Sequence, residues 1–198
     1  MARILIGIDE AGRAPLAGPV SVGFVAVPEK FDVLKEFPGV RDSKKLSPER
    51  REALYELLLT RAHNGDVRFC VRFSSHKYID RFGITKAVYR AIKSGVQALA
   101  PQPEDTHILL DGLLHAPRQY SQETVIHGDD LIPLISLASI VAKVRRDHLM
   151  ERMSRLFPGY GFSKHKGYPT KEHYKTIEHN GLCDIHRRSF CSKVKGIV

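Results

Sequence analysis

The chain lacks several features, and each absence excludes a class of protein. Three cysteines, Cys70, Cys183 and Cys191, are too few and too unevenly spaced for a disulfide framework, which suits a reducing compartment. Cys183 and Cys191, with His186 between them, match no common zinc spacing. No stretch approaches the ~20 consecutive apolar residues of a membrane span, and "MARILIGIDE" reaches acid before a signal-peptide core could form. We therefore expect a cytoplasmic protein without a membrane partner.

Acidic residues are also scarce relative to basic ones. The 198 residues include 31 Lys and Arg against 22 Asp and Glu, a formal net charge of +9. This excess of positive charge favours a polyanionic partner, with nucleic acid ahead of a membrane surface. The alternative is a basic soluble protein without such a partner. The chain shows no repeat, low-complexity tract or obvious linker. Its 42% hydrophobic content suits one packed domain, which we expect to be a monomer.

Hydrophobic patterning predicts strands first and then an alternation of strands and helices. Alternation in the third strand places Val67, Phe69, Val71 and Phe73 on a core face, and the first three strands could form a meander. Ser47 and Thr170 are typical helix N-caps. The predicted strands are 4–9, 20–27, 67–73, 107–111 and 123–127. The predicted helices are 48–62, 85–100, 133–157 and 171–180, and the segment after residue 160 forms a small appendage.

Five acids fall at the ends of these elements. Asp9 and Glu10 end the first strand, Asp111 ends a central strand, and Asp129 and Asp130 precede the long helix. Strand ends at one edge of an α/β sheet can converge on a crevice. Carboxylates packed together raise each other's pKa unless cations lie between them, and an oxygen-only ligand set favours Mg²⁺ or Mn²⁺. The acids and the basic charge together favour metal-dependent phosphodiester hydrolysis.

Each acid also has an ordinary structural interpretation. The pair Asp111–Gly112 suits a turn, Asp9 could pair with Arg13, and either acid at 129–130 could cap the following helix. A basic nucleic-acid-binding module without chemistry would use the acids in these ways. The two readings differ in whether hydrolysis of a nucleic acid needs a divalent metal.

Six segments together resemble ribonuclease HII of the bacterial type. They follow the family's order through nearly the whole chain, so the resemblance is far more specific than a lone Asp-Glu-Ala-Gly. The segments are "GIDEAGRAPLAGPV" at 7–20, "DSKKLS" at 42–47, "LLDG" at 109–112, "SLASIVAKVRRDHLM" at 136–150, "KHKGYPTKEH" at 164–173 and "IHRRSF" at 185–190. Related ribonuclease H-fold nucleases remain alternatives, namely a DNA resolvase or ribonuclease HIII, which usually carries an extra N-terminal domain.

The resemblance implies a fold and an activity. The fold is α/β and ribonuclease H-like: a mixed five-stranded sheet flanked by helices forms a catalytic domain over 1–160, and a C-terminal helical extension over 161–198 packs on it as one unit. The activity is that of an endonuclease that cuts the RNA strand of RNA–DNA hybrids. It also nicks 5′ of ribonucleotides embedded in duplex DNA, as ribonucleotide excision repair requires. Two divalent ions, Mg²⁺ or Mn²⁺, serve the hydrolysis, which leaves 3′-hydroxyl and 5′-phosphate ends.

Position by position, the resemblance also implies site residues. The family's four catalytic, metal-binding acids fall on Asp9, Glu10, Asp111 and Asp129, with Asp130 as the alternative for the last. Three further positions are implied for the substrate: Lys44 contacts phosphate, the Tyr168 ring packs against the junction sugar, and the turn 12–14 approaches the 2′-hydroxyl.

The turn departs from the family's pattern. The family normally shows Gly-Arg-Gly, whereas this chain has Gly12, Arg13 and Ala14. Glycine permits a positive φ or a close approach of backbone to a ligand, and the methyl group of Ala14 could prevent either. Recognition of the junction is therefore the property that this substitution affects most directly.

Overall fold

Five strands form a single mixed sheet in the computed structural model, which describes residues 3–100 and 102–192. The strand order is β3-β2-β1-β4-β5. The pairs β1–β2 and β2–β3 are antiparallel, and β1–β4 and β4–β5 are parallel. This arrangement confirms the predicted fold class and the meander of the first three strands. The strands are β1 Ile4–Ala11, β2 Val20–Pro28, β3 Arg68–Ser74, β4 Thr106–Asp111 and β5 Ser121–Val125.

Helices cover both faces of the sheet. Ser47 caps α2 by accepting from the amide of Arg50, and Thr170 caps α8 by accepting from that of His173, as their sequence positions predicted. The helices are α1 Val33–Glu36, α2 Pro48–His63, α3 His76–Phe82, α4 Ile84–Leu99, α5 Gly128–Leu131, α6 Pro133–Leu156, α7 Phe162–His165 and α8 Lys171–Asn180, with 3₁₀ turns at Ser43–Lys45 and Arg188–Phe190.

The long helix α6 lies directly on β1 and β2, and two glycines allow this approach. A Cβ at Gly7 would collide with the backbone of Leu134, and one at Gly23 would collide with the backbone of Ala138 and Ala142. The first half of α6 is therefore buried against the sheet. Because strands carry side chains on alternate faces, the opposite face of β1 and β2 packs against α4 in a second core.

Two local predictions were wrong, and one short helix was missed. Phe73 was placed in the core by alternation, but it is 40% exposed because β3 is an edge strand and Phe73 lies near its end. The fifth strand stops at Val125, since His127 has a left-handed backbone (φ 57°) from which α5 begins. The seven-residue helix α3, capped by Ser75, was not predicted because it is too short to show a helical period.

The C-terminal segment packs on the loop between β1 and β2. Ala17 forms an isolated bridge with His186, and the Arg187 amide donates to the Leu16 carbonyl at 2.7 Å. The Leu16 amide in turn donates to the Gly167 carbonyl at 2.8 Å. The domain boundary at residue 160 stays a prediction, and the final part of the predicted extension, 193–198, lies outside the described residues. None of the helices in the described ranges is long and apolar enough to span a membrane.

Candidate active site

Asp9 and Asp111 stand side by side because their strands are parallel neighbours. The last paired residues of β1 and β4 are Ile8 and Leu110, so each acid follows at the same edge of the sheet. Asp9 is buried and accepts the amide of Glu10 at 2.7 Å through Oδ1. Burial, and then the Glu10 charge, raises the pKa of Asp9 well above its usual range.

Asp129 completes a group of three acids. It lies in α5, where its amide donates to Oδ1 of Asp111 at 3.2 Å, and the Ser136 hydroxyl holds its carbonyl at 2.8 Å. One carboxylate oxygen from each of Asp9, Asp111 and Asp129 lies within 4.8 Å of the other two. The structure therefore gathers three acids that are 102 and 18 residues apart in sequence (111 − 9 and 129 − 111).

Glu10 lies next to this group, although it is not one of the closest three. Its Oε1 faces Nη1 of Arg13 at 3.4 Å, whereas its Oε2 is buried and has no hydrogen-bond partner within the described residues. Burial raises the pKa of Glu10; the charge of Arg13 opposes this shift and that of Asp111 adds to it. A buried carboxylate oxygen without a donor is costly unless a ligand satisfies it.

The donor set suits a hard divalent cation. Four carboxylates contribute only oxygen. Burial, together with neighbouring carboxylate charge, raises the pKa of Asp9 and of Glu10, so a counter-charge is needed to keep these two groups ionised. Magnesium and manganese prefer carboxylate oxygens and share their coordination with water and substrate phosphate. Asp9, Glu10, Asp111 and Asp129 could therefore hold such ions, and the unpartnered Oε2 of Glu10 is a free ligand atom.

Two adjacent lysines pair with the two adjacent acids of α5. Nζ of Lys44 lies 2.8 Å from Oδ2 of Asp129, and Nζ of Lys45 lies 2.6 Å from Oδ1 of Asp130. The buried Asp129 faces the other acids, while Asp130 is exposed and lies outside the group of three. Partial burial lowers the pKa of Lys44, but the hydrogen bond and charge of Asp129 outweigh it and raise that pKa.

A cleft of about 260 Å³ brings the acids together with the predicted substrate residues. The ring of Tyr168 forms part of its wall, with Nζ of Lys143 5.7 Å and Cζ of Arg146 5.6 Å from the ring centroid. Eight of the nine site residues that the sequence predicted line this cleft. The ninth, Asp129, is hydrogen-bonded to two of the lining residues, Asp111 and Lys44. The lining residues are Asp9, Glu10, Ala11, Gly12, Arg13, Ala14, Ser43, Lys44, Asp111, Ser139, Lys143 and Tyr168.

A buried arginine holds the turn that follows Glu10. The guanidinium of Arg187 donates to the carbonyls of Gly12 at 2.7 Å, Arg13 at 2.8 Å and Gly18 at 2.9 Å. Burial, and then the nearby charge of Arg146, lowers the pKa of Arg187 to about 9. Three carbonyl acceptors replace the water that this guanidinium loses on burial. Arg187 therefore holds the backbone of the turn from the interior of the protein.

A second buried arginine explains why glycine stands at position 12. Arg146 of α6 donates to the carbonyls of Pro19 at 3.0 Å, Lys166 at 3.0 Å and Ala17 at 3.2 Å. Gly12 has φ 92°, and a Cβ there would collide with the Arg146 side chain. Position 12 therefore needs glycine both for its backbone conformation and for space.

Ala14 does not share that conformational requirement. In the described part of the chain, the residues other than glycine with positive φ are His127 and Lys166, so Ala14 has an ordinary backbone conformation. Its side chain is exposed and lines the cleft. Any effect of its methyl group must therefore come from contact with a ligand rather than from backbone strain.

Sequence reasoning did not assign roles to Ser139, Lys143, Arg146 and Arg187. The Ser139 hydroxyl lowers the pKa of Asp9, against the larger effect of burial, and contacts the Ser43 hydroxyl at 2.8 Å. A polar residue on the apolar face of α6 was an available signal for Arg146. Arg187 stands in a segment that carried the family resemblance, but nothing local shows that its side chain is buried.

Comparisons with known proteins agree with this geometry. The family model described as Ribonuclease HII matches residues 6–193. Ribonuclease HII of Geobacter sulfurreducens is 42% identical over 188 residues, which are 95% of this chain and 82% of that protein. Ribonuclease HII of Syntrophus aciditrophicus is 43% identical over 193 residues, which are 98% of this chain and 85% of that protein.

Solved structures show the same fold. Ribonuclease H2 from Pyrococcus horikoshii OT3 superposes with a TM-score of 0.74 at 24% identity, over 94% of this chain and 93% of that one. The RNase HII of the PCNA:RNase HII complex from Archaeoglobus fulgidus gives 0.71 at 25% identity, over 93% of each chain. Since relatives at above 40% identity match nearly from end to end, this chain belongs to the ribonuclease HII family and is a nuclease of the ribonuclease H class.

Proposed function

We propose that this protein hydrolyses the RNA strand of RNA–DNA hybrids and nicks 5′ of ribonucleotides embedded in duplex DNA, leaving 3′-hydroxyl and 5′-phosphate ends. The observation that carries the proposal is the convergence of Asp9, Asp111 and Asp129 within 4.8 Å, in contact with a cleft that also contains the Tyr168 ring. Acids that could hold cations and a ring that could pack on a sugar share one cavity.

The acids supply the hydrolytic chemistry in this proposal. Asp9, Glu10, Asp111 and Asp129 would hold two divalent ions, Mg²⁺ or Mn²⁺. Two such ions supply the positive charge that activates a water for in-line attack on phosphorus and stabilises the departing 3′-oxygen. The hydrogen bond from the Glu10 amide to Asp9 and that from the Asp129 amide to Asp111 orient these two carboxylates.

The cationic side chains of the cleft wall bind the polyanion. Lys44 is exposed and reaches the acids, and Lys143 lies beside the Tyr168 ring. Ammonium groups so placed can contact the phosphates on either side of the cut, as the net charge of +9 also suggests.

Recognition of the ribose falls to the ring and the turn. The 2′-hydroxyl is the backbone group that distinguishes RNA from DNA. Tyr168 offers a flat apolar face against the sugar, and the backbone of Gly12, Arg13 and Ala14, held by Arg187, offers polar groups beside it. We also propose that the enzyme works as a cytoplasmic monomer, to be checked by light scattering on the pure protein and by cell fractionation.

Two duplexes and one pair of variants test the proposal. The duplexes carry a continuous RNA strand or a single embedded ribonucleotide, with an all-DNA duplex of the same sequence as the control. Both ribonucleotide-containing duplexes should be cut with Mg²⁺ or Mn²⁺ and stay intact with EDTA. Asp129→Asn should lower kcat by about 100-fold or more, whereas the exposed neighbour Asp130→Asn should stay within about threefold. Binding without metal-dependent cutting would overturn the proposal.

A further inference from the structure

Three buried imidazoles form a cluster in the C-terminal segment, outside the acid cleft. His165, His173 and His186 surround the Phe162 ring, with centroid distances of 5.6 to 5.8 Å. The ring of His165 stacks on that of His173 at 4.2 Å. Nε2 of His173 lies 3.1 Å from Nε2 of His186. Two imidazole nitrogens at this distance form a hydrogen bond only if one carries a proton and the other does not.

The partners of the outer nitrogens fix which one donates. Nδ1 of His173 lies 2.9 Å from the carbonyl oxygen of Tyr168, which can only accept, so this nitrogen carries the proton. In a neutral ring Nε2 of His173 then accepts. His186 must donate from its Nε2, which leaves its Nδ1 to accept the amide of Cys183 at 2.9 Å.

The hydrogen bonds therefore run in one direction, from the Cys183 amide through His186 and His173 to the Tyr168 carbonyl; we call this chain the histidine relay. The adjacent His165 is satisfied separately, since Nε2 faces the Tyr160 carbonyl at 2.8 Å and Nδ1 accepts the Gly167 amide at 3.1 Å. All three rings are neutral in this scheme. A proton added to Nε2 of His173 would place two N–H donors against each other.

The histidine relay is connected to two parts of the acid cleft. At one end it holds the backbone of Tyr168, whose ring lines the cleft. His186, the second imidazole of the relay, directly precedes Arg187, whose guanidinium donates to the carbonyls of Gly12 and Arg13. The backbone of Tyr168 and the turn are thus connected through the hydrogen bond between the two imidazoles, the peptide bond from His186 to Arg187 and the hydrogen bonds of the Arg187 guanidinium.

We propose that the histidine relay is a positioning device that fixes the separation between the Tyr168 ring and the turn 12–14, and thereby sets selectivity for a single ribonucleotide. The inference rests on the proposed function of the cleft. Neither His173 nor His186 faces the acids, so both act through Tyr168 and Arg187. An embedded ribonucleotide offers a single 2′-hydroxyl, whereas a continuous hybrid offers one at each position along the RNA strand. Less exact placement of the Tyr168 ring and the turn should therefore reduce cleavage of the embedded substrate more than cleavage of the hybrid.

The kinetic test uses two substitutions of one residue. The amide oxygen of Asn can replace Nδ1 as an acceptor for Cys183 but loses the link to His173, whereas the amide nitrogen of Gln can replace Nε2 as the donor to His173. The readout is the ratio of kcat/KM for the embedded ribonucleotide to kcat/KM for the hybrid. His186→Asn should lower this ratio about tenfold and His186→Gln by no more than about twofold. His179→Asn, exposed on α8, is the matched control and should match the wild type.

The outcomes separate the relay from the cleft's function. A folded His186→Asn with an unchanged ratio, or with both activities reduced equally, overturns the positioning role. A wild-type enzyme that cuts neither duplex with metal overturns the proposed function instead. Imidazole ¹⁵N NMR of the wild-type protein tests the direction of the relay's hydrogen bonds. This measurement needs no activity assay and does not depend on whether the variants fold. At neutral pH we expect His173 to carry its proton on Nδ1 and His186 on Nε2; a proton on Nε2 of His173 would overturn the relay.

Discussion

Nζ of Lys44 lies 2.8 Å from Oδ2 of Asp129, so an ammonium group on a largely exposed side chain rests against a buried member of the acid cluster. The next residue in each segment repeats the contact at the surface, where Lys45 meets the exposed Asp130 at 2.6 Å. One lysine thus reaches the acid cluster and its neighbour does not, which provides a matched pair for experiment.

Lys44→Ala should weaken metal-free binding of substrate and reduce the slope of log K against log salt by about one, the amount for one lost phosphate contact. Lys45→Ala should leave the slope closer to that of the wild type. The measurement is a salt titration of binding to a labelled hybrid in EDTA. An unchanged slope in Lys44→Ala would show that this side chain is ordinary solvated surface.

The same variant should bind Mn²⁺ more tightly without substrate. Lys44 competes with a cation for the Asp129 carboxylate, and an exposed ion pair of this kind contributes up to about 1 kcal/mol, or a factor of about 2–5 in Kd. Isothermal titration with Mn²⁺ measures the change, and Lys45→Ala should not differ from the wild type. Weaker Mn²⁺ binding by Lys44→Ala would contradict this competition.

Asp111→Asn should remove most activity while leaving the fold intact. The substitution deletes one ligand charge and keeps the oxygen that accepts the Asp129 amide, so kcat should fall by about 100-fold or more. Without metal its Tm should equal or exceed that of the wild type, because the repulsion that raises the pKa of Glu10 is relieved. Thermal melts with and without Mn²⁺ test this, since Mn²⁺ should stabilise the wild type much more than the variant.

Arg187→Lys should destabilise the protein and disturb the turn, whereas Arg188→Lys should not. A lysine at 187 cannot reach all three carbonyls that the guanidinium holds, and loss of buried bonds to a charged group costs about 2–4 kcal/mol. Arg188 is exposed, so its replacement should change the free energy of unfolding by less than about 0.5 kcal/mol. Urea denaturation of both variants compares them, and equal destabilisation would contradict the assignment.

Ala14→Gly should raise cleavage at a single embedded ribonucleotide more than cleavage of a continuous hybrid. Because position 14 has no positive φ, the gain must come from removing the methyl group from the path of the 2′-hydroxyl. Tyr168→Ala should change the ratio of the two activities in the opposite direction, and neither variant should alter the metal requirement. Equal changes on both substrates, or none, would remove the turn from junction recognition.

Acid should destabilise the protein through the relay. Burial, and then neighbouring imidazoles that include His165, lowers the pKa of His173 and of His186 from the usual 6.5 to about 4; His76 faces His186 as well. The unfolded chain therefore binds protons between about pH 6.5 and 4 that the folded chain does not. The stability due to each ring is complete above pH 6.5 and falls as the pH falls, by up to roughly 3 kcal/mol at pH 4.

Denaturation at pH 7 and pH 5 measures this loss. His173→Asn has no imidazole to protonate, so it should lose less stability than the wild type over this interval. His179→Asn, from the exposed side of the same helix, should retain the wild-type slope. A wild-type slope in His173→Asn would show that the acid sensitivity arises elsewhere in the protein.

Local chemistry made much of the fold readable from the sequence. Ser47 and Thr170 satisfy free amide groups at helix starts, and apolar runs together with alternation located all five strands within about two residues at each end. These signals depend on near neighbours in the chain, so they survive without knowledge of the tertiary structure. The five acids were also visible because each ends a strand or precedes a helix.

Other features depended on which surfaces meet. Phe73 follows the same alternation as Val71, yet it is exposed because β3 is at the sheet edge. Local chemistry left Asp129 and Asp130 as alternatives. Only the packing of α5 against β4 turns Asp129 toward Asp111 and leaves Asp130 in solvent.

The sequence by itself therefore determined the strands, most of the helices, the basic charge and, through its motifs, the family and the acids on which hydrolysis would depend. Tertiary structure alone decided that Arg146 and Arg187 hold the turn from within the protein and that His173 and His186 share a hydrogen bond. The physical reason is that capping and periodicity act between residues a few positions apart. A buried guanidinium or imidazole is stabilised by partners that folding brings from distant segments, such as Gly12 for Arg187 at 175 positions.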